Sequence, residues 1–356
     1  MSTLVNTQKE IKNLKTFSTA AERFEGSHLL CPGCAHSIIV REVLNATNDN
    51  LVVSASTGCL EVCTAIYPHT SWDCSWIHIG FENSSTAMAG VETMNKALRN
   101  KGRISADTPQ PKFVTFGGDG STYDIGFQWI SGCFERGHDF MYVCLDNEVY
   151  ANTGGQRSSS TPIGASTTTA PAGSHSYGEK RQKKDIVSIM AAHGAPYVAQ
   201  VAPNKWKDMV KKIQRGFDTH GPVFINAMSA CTTEWKFAPN QTIEVSDLAV
   251  DSLVFPLYEI IGGRELNITY RPKNIIPVRD YLGAQPRFKH LFKPGNEHLI
   301  EEKSTLSSDI NNLRDFKDKQ QLELSEISNA RKVLLNKLQE LAEKFQALEQ
   351  NKKNQE

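Results

Sequence analysis

The 356-residue sequence has no apolar run approaching the roughly 18 residues that a membrane-spanning helix requires. Its polar N-terminus lacks the hydrophobic segment of a signal peptide. Neither sign of charge is in excess, because 39 Lys and Arg residues cancel 39 Asp and Glu residues. That balance excludes the basic or acidic bias of proteins that grip nucleic acid or an anionic membrane surface. Together these absences predict a cytoplasmic protein with no membrane or nucleic-acid partner. Residues 291–356 also lack cysteine, tryptophan and any strand-like pattern. What is present is 39% hydrophobic content, enough for one large α/β core with an appendage, and eight cysteines. In a cytoplasmic chain, cysteines point to metal or redox chemistry before disulfides.

The chain is organised around residues 116–155. The apolar run Lys112 to Phe116 reads as a buried strand ending at Gly117-Gly118-Asp119-Gly120. Helical spacing follows, with Ile125, Trp129 and Phe134 as its apolar positions. A second apolar run from Phe140 to Leu145 stops at Asp146-Asn147. Strand, helix and strand within about forty residues make a parallel βαβ unit. Such a unit brings Asp119 and Asn147 to one sheet edge, where ligands of open α/β folds bind. Glycines beside Asp119 allow the backbone to approach a phosphate. One carboxylate, one amide oxygen and a nearby carbonyl suit Mg²⁺ completed by diphosphate oxygens.

A second signal is Cys31-Pro32-Gly33-Cys34, a tight turn aiming two sulfurs at one centre. By spacing alone it is a zinc half-site, a dithiol pair or half an iron–sulfur site. Its complement lies among Cys59, Cys63, Cys74, Cys133, Cys144 and Cys231. Cys59 follows the strand-like Leu51 to Ala55, and Cys231 ends the strand-like run 222–228, so both are expected at strand C-termini. Cys133 and Cys144 fit buried small hydrophobes. Cys63, four residues after Cys59, competes for the same centre, and Cys74 has no partner by spacing.

GDG followed 28 residues later by Asn is the thiamine-diphosphate motif. The fuller text, GDGSTYDIG and then DNEVYANTGGQRSSSTPIGA, resembles the β subunits of 2-oxoacid:ferredoxin oxidoreductases, most closely the pyruvate (pyruvate synthase) type. The likeness runs from about Cys31 to His290. It implies an α/β thiamine-diphosphate-binding fold with a mostly parallel sheet flanked by helices, and a CoA-dependent oxidative decarboxylation of pyruvate that reduces ferredoxin. CPGCAH, TGCLEV and the late SAC match the segments that hold the family's [4Fe–4S] cluster, which implies Cys31, Cys34, Cys59 and Cys231 as ligands. Ala35 and Ala230 depart from the family's usual Gly and Pro. The resemblance further implies Asp119, Asn147 and the Val149 carbonyl on Mg²⁺, and Gly118, Gly120 and Ser121 along the diphosphate. Gly58 and Cys59 are then expected beside the cofactor, with His36 close by. Tyr150 and Asn152 are expected at the reacting end, Asn152 polarising the substrate carbonyl.

No segment here resembles the domain that supplies the family's activating Glu. The resemblance therefore implies a hetero-oligomer: an α subunit bearing that Glu, γ and ferredoxin-like δ subunits, and ferredoxin and coenzyme A as reactants. Alternatives are the same reaction on 2-oxoisovalerate, 2-oxoglutarate or an aryl pyruvate, or a non-catalytic zinc-bound scaffold.

Along the chain, residues 1–26 read as an arm, 27–247 as the α/β domain and 248–290 as an irregular extension wrapping a neighbouring subunit. The long Ser/Thr/Gly-rich stretch from Asn152 to Lys184 is expected to cover the site, with Arg157 and His175 as possible substrate contacts. Residues 291–356 read as a helical tail. Ile310, Leu313, Leu324, Ile327 and later leucines keep spacings of three and four, interrupted by Lys317, Gln320 and Arg331.

Overall fold

The computed structural model describes residues 22–296 together with Phe17 and Ile300. Most of the expected N-terminal arm, and the heptad-patterned tail apart from its first residues and Ile300, lie outside the described residues.

Helix α1 (Ala35–Asn45) precedes strand β1 (Leu51–Ser56), the short α2 (Cys59–Thr64) and β2 (Ser75–Ile79). Helix α3 (Ser84–Asn100) leads to β3 (Lys112–Gly118), a π-helical turn (Gly120–Ile125), α4 (Phe127–Glu135) and β4 (Met141–Asp146). Beyond the long loop come α5 (Ile186–Ala192), β5 (Tyr197–Val201), α6 (Trp206–Asp218), β6 (Val223–Met228) and α7 (Thr232–Trp235). The chain continues as α8 (Thr242–Asp251), β7 (Tyr258–Ile261), β8 (Glu265–Ile268) and α9 (Val278–Gly283).

One sheet takes the order β2-β1-β3-β4-β6-β5-β7-β8. Its first six strands are parallel, and β7 and β8 are antiparallel additions. The central strands have near-continuous apolar text because helices cover both faces of a parallel sheet. Thus β4 and β6 are buried along their whole length. The order reverses between β1 and β3: the chain leaves β1 toward β2 and leaves β3 toward β4. That reversal opens a crevice at the strands' C-terminal ends.

The expected mostly parallel sheet flanked by helices therefore holds, with two corrections in detail. Ile125 and Trp129 do not share the buried helix face; they are 48% and 42% exposed, and the core-facing residues of α4 are Ile130, Cys133 and Phe134. The π-helical turn widens the first turn after Gly120, so the apolar register slips by about one residue. Second, the segment read as irregular after Leu248 contains regular structure. Helix α8 runs to Asp251, and the text FPLYEI puts Tyr258–Ile261 onto the chain's own sheet beside β5. Prolines at 256, 272 and 277 hide this hairpin because they punctuate its flanks, not its strands.

No helix among the described residues is long and apolar enough to cross a membrane.

Candidate functional site

At the sheet's reversal point the ends of β1, β3 and β4 enclose an open cleft with about 740 Å³ of empty space. His36, Gly58, Cys59, Gly118, Asp119, Gly120, Asn147, Val149, Tyr150 and Asn152 all line it. Ser121 does not. It is buried behind the wall, where its hydroxyl donates to Ser56 Oγ at 2.9 Å.

On the β3–β4 side, Asp119 Oδ1, the Asn147 side-chain amide and the Val149 carbonyl converge on one point. In one amide orientation the Asn147 nitrogen donates to both oxygens, each at 2.7 Å. In the other orientation the amide oxygen faces them instead, and three oxygens confront one another. The second arrangement is the donor set that a small hard cation favours. Burial raises the Asp119 pKa well above the usual carboxylate range, and the neighbouring Asp146 charge raises it further. The Ser158 hydroxyl, donating to Asp119 Oδ2, opposes the rise. A cation at this point would favour the ionised carboxylate against the effects of burial and of Asp146.

Gly120 is dictated by contact. A Cβ there would stand 2.0 Å from Tyr150 Cε1. The Tyr150 ring therefore lies flush against the glycine loop, while its hydroxyl donates to Asp124 Oδ2 at 2.9 Å. Burial, and then that hydrogen bond, push the phenol pKa up. Tyr150 is thus tied down at its polar end, whereas Asn152 is exposed at the rim.

Behind the cation point is a buried charge network that sequence reading missed. Glu148 lies between the two donors Asn147 and Val149. Its Oε2 accepts from Arg287 Nη2 at 2.5 Å and its Oε1 from Lys183 Nζ at 3.1 Å. Lys183 also donates to Asp146 Oδ2 at 2.8 Å, and Tyr123 OH donates to the same oxygen at 2.7 Å. Burial works against the Glu148 charge, yet Lys183 and Arg287 together hold its pKa below the ordinary value. The serine-rich loop closes this network from behind. Ser159 N donates to Asp124 Oδ2, Ser160 Oγ to Asp146 Oδ1 and Thr161 Oγ1 to the Glu148 carbonyl. The loop read as a cover is therefore fastened behind the wall, and only its first residues, to Thr153, reach the cleft. Arg157 instead pairs with Glu179 at 2.9 Å, and neither it nor the exposed His175 lines the cleft.

On the β1 side Cys59 lines the cleft, and the other thiols gather behind it. The Cys31–Cys34 turn is stitched to the segment around Cys231. Ala35 N donates to the Ala230 carbonyl at 3.4 Å, Thr232 Oγ1 to the Pro32 carbonyl at 3.2 Å and Thr242 Oγ1 to the Gly33 carbonyl at 2.5 Å. Gly33 has φ +74°, and a Cβ on it would meet the Pro239 carbonyl oxygen at 2.1 Å, so the turn and the later segment are pressed together. Burial pushes the Cys34 thiol up to about 12, and Cys231, Cys31 and Cys63 add to the rise. Cys59 is raised by burial and then by Cys231, Cys34, Cys63 and Cys31. The four expected thiols are therefore mutual neighbours, and Cys63 stands with them. Its carbonyl accepts from Leu29 N at 2.9 Å. Among the described residues no three His, Cys, Asp or Glu side chains are gathered tightly enough for a single metal ion. Cys133 and Cys144 are fully buried in the core, as their positions in α4 and β4 predict.

His36 joins the two walls. It opens α1 two residues after Cys34, and its Nδ1 shares a 2.5 Å hydrogen bond with Ser229 Oγ. Burial lowers its pKa to about 4, so the ring is neutral at physiological pH. The unpredicted lining residues include Ser56, Thr57, Phe81 and Thr153. Ser56 and Thr57 were legible as the residues immediately before Gly58 at the end of β1. Phe81 carried no such signal; it packs edge-on against Tyr150 at 5.8 Å.

Comparison with known proteins bears on these features. Residues 56–227 match the family described as thiamine pyrophosphate enzyme, C-terminal TPP binding domain. The pyruvate synthase subunit PorB of Methanocaldococcus jannaschii is 46% identical over 80% of this chain and 96% of its own length. The PorB subunit of Methanothermobacter marburgensis is 48% identical over 74% of this chain and 88% of its own. The solved 2-oxoglutarate:ferredoxin oxidoreductase from Magnetococcus marinus shares the fold, with a TM-score of 0.51 and 19% identity over 82% of this chain and all of that one.

Proposed function

Because the chain belongs to the family of pyruvate synthase PorB subunits, the β subunits of 2-oxoacid:ferredoxin oxidoreductases, we propose that its cleft is the cofactor-binding half of a pyruvate-oxidising active site. The observation carrying this reading is the convergence of Asp119, Asn147 and the Val149 carbonyl in a cleft that Cys59 also lines, with further thiols beside Cys59. When bound, thiamine diphosphate supplies a nucleophilic carbanion and an electron sink, and a [4Fe–4S] cluster supplies a one-electron acceptor.

The chain's own residues do the placing. Asp119, Asn147 and Val149 hold Mg²⁺, which fixes the diphosphate against the glycine loop at Gly118 and Gly120. Neutral His36 has one nitrogen held by Ser229, which orients its ring at the junction of the two walls. The exposed amide of Asn152 is free to donate to a 2-oxoacid carbonyl at the rim, a role the tethered Tyr150 hydroxyl does not share. Cys31, Cys34, Cys59 and Cys231 hold the cluster. The raised pKa values of Cys34, Cys59 and Cys231 describe a pocket that disfavours bare thiolates and so favours an iron cluster that neutralises them.

The activating carboxylate comes from a partner α subunit. Ile125 and Trp129, exposed just beyond the glycine loop, are suited to being covered by it. The test is to purify the assembled complex without oxygen and assay a panel of 2-oxoacids with coenzyme A and a viologen dye. Highest kcat/KM with pyruvate supports the reading, and preference for a branched or dicarboxylic 2-oxoacid replaces the substrate. A colourless, zinc-containing, inactive complex overturns the whole.

A further inference from the structure

Asn147 and Val149 are two residues apart, and their oxygens meet one point only because Glu148 between them has φ +62°. Non-glycine residues rarely adopt that backbone unless their surroundings impose it. Here every polar group of Glu148 is held. Its N–H donates to Asp146 Oδ1 at 3.2 Å, and its carbonyl accepts from Thr161 Oγ1 at 2.7 Å. Its buried carboxylate is forked between Arg287 and Lys183. Arg287 reaches the same stretch by a second route. Its guanidinium lies 4.0 Å from the centroid of the Trp235 ring, and Trp235 Nε1 donates to the Asn147 carbonyl at 2.8 Å.

We propose that Glu148 is a positioning residue for the cation site, locked by Arg287 and Lys183 in the left-handed turn that makes the Asn147 amide and the Val149 carbonyl converge with Asp119. The inference rests on the assignment of those three donors to a divalent cation made above. A turn fixed at both ends offers a cavity of set size. Such a site favours small octahedral Mg²⁺ over the larger, geometrically tolerant Ca²⁺. Loosening the turn lowers affinity and also erodes that discrimination.

The test uses the full-length protein in its purified complex with thiamine diphosphate present. Mn²⁺ binding is followed by electron paramagnetic resonance, and Mg²⁺ and Ca²⁺ are measured as competitors. Glu148→Gly keeps the left-handed backbone accessible and removes only the anchor. It is expected to weaken Mn²⁺ binding about 10- to 100-fold, the range for groups that hold a metal ligand in place from behind. It should also narrow the preference for Mg²⁺ over Ca²⁺, which general destabilisation would not do. If Glu148→Gly does not accumulate as folded protein, Arg287→Lys, which keeps the charge and loses the planar fork, is read the same way. Wild-type affinity and wild-type discrimination in the folded variant overturn the proposal, provided Asp119→Ala abolishes Mn²⁺ binding. Should Asp119→Ala bind Mn²⁺ normally, the cation-site reading itself falls, and the positioning role falls with it.

Discussion

The two walls of the cleft are built in opposite ways. The cation wall comes mainly from one βαβ unit, and its charges are already answered: Asp119 by Ser158, Asp146 by Tyr123 and Lys183, Glu148 by Arg287 and Lys183. The thiol wall gathers segments 200 residues apart, and its sulfurs have each other and a few weak donors for company, such as Thr233 Oγ1 at 3.6 Å from Cys31 Sγ. One side is held by its own ion pairs, and the other is stitched through its backbone while its thiols have no charged partner. Removing a group from the first leaves buried partners stranded; removing a thiol from the second strands no charged partner.

That contrast can be broken most severely at Asp119. Asp119→Ala is expected to weaken Mg²⁺-dependent thiamine diphosphate binding at least about 100-fold, in line with roughly 3 kcal/mol or more for truncating a buried charged partner. Calorimetric titration of the cofactor measures it, and near-normal binding would refute the placement of the site. Next in size is Cys231→Ser. Iron content per chain should fall to less than about half because a thiolate ligand is gone, while cofactor affinity stays within about threefold, since the walls are separately built. Cys63→Ser should keep its iron. Iron retained in the first variant and lost in the second would make Cys63 the fourth ligand.

Gly120→Ala probes the cation wall more gently. The added methyl forces the Tyr150 ring away from the glycine loop, an overpacking cost of about 1–3 kcal/mol. Thermal unfolding should register it, and cofactor affinity should fall while iron content does not. The smallest effect on the cleft itself is expected at Glu42, which lies on α1 but does not line the cleft. Glu42 is buried with an unpartnered Oε2, and burial raises its pKa to about 8. The unfolded chain releases this proton near pH 4.5 and the folded chain only near 8. Stability from this group is therefore full below pH 4.5 and declines as pH rises toward 8. Glu42→Gln should raise the Tm at pH 8.5 and leave it nearly unchanged at pH 4.5; equal shifts at both would show that the carboxyl does not titrate as its burial requires.

The same contrast decided how much was legible in the sequence. The cation wall could be read because local rules generate it: a buried strand, glycines, a helix and a second strand ending at Asn147 place two donors at one edge. The π-helical turn escaped notice because it shifts the helix register without changing its composition. Spacing offered several partners for Cys31 and Cys34, and strand ends narrowed them to Cys59 and Cys231 without removing Cys63. The Glu148–Arg287 pair was invisible, since a carboxylate and a guanidinium 139 residues apart carry no local signature. The hairpin at β7 and β8 was hidden by flanking prolines.

That late contribution of Arg287 has a consequence for biosynthesis. Residues emerge from the ribosome in order, at about 5–20 per second. When Asp119 and Asn147 have emerged, the turn between Asn147 and Val149 still lacks Lys183, Trp235 and Arg287. Until Arg287 emerges, a nascent chain displays the cation donors without the fork that aligns them. On the proposed reading, a chain that stops short of Arg287 displays the three donors with the Glu148 turn unfastened, and is expected to bind a divalent cation more weakly than one that includes it.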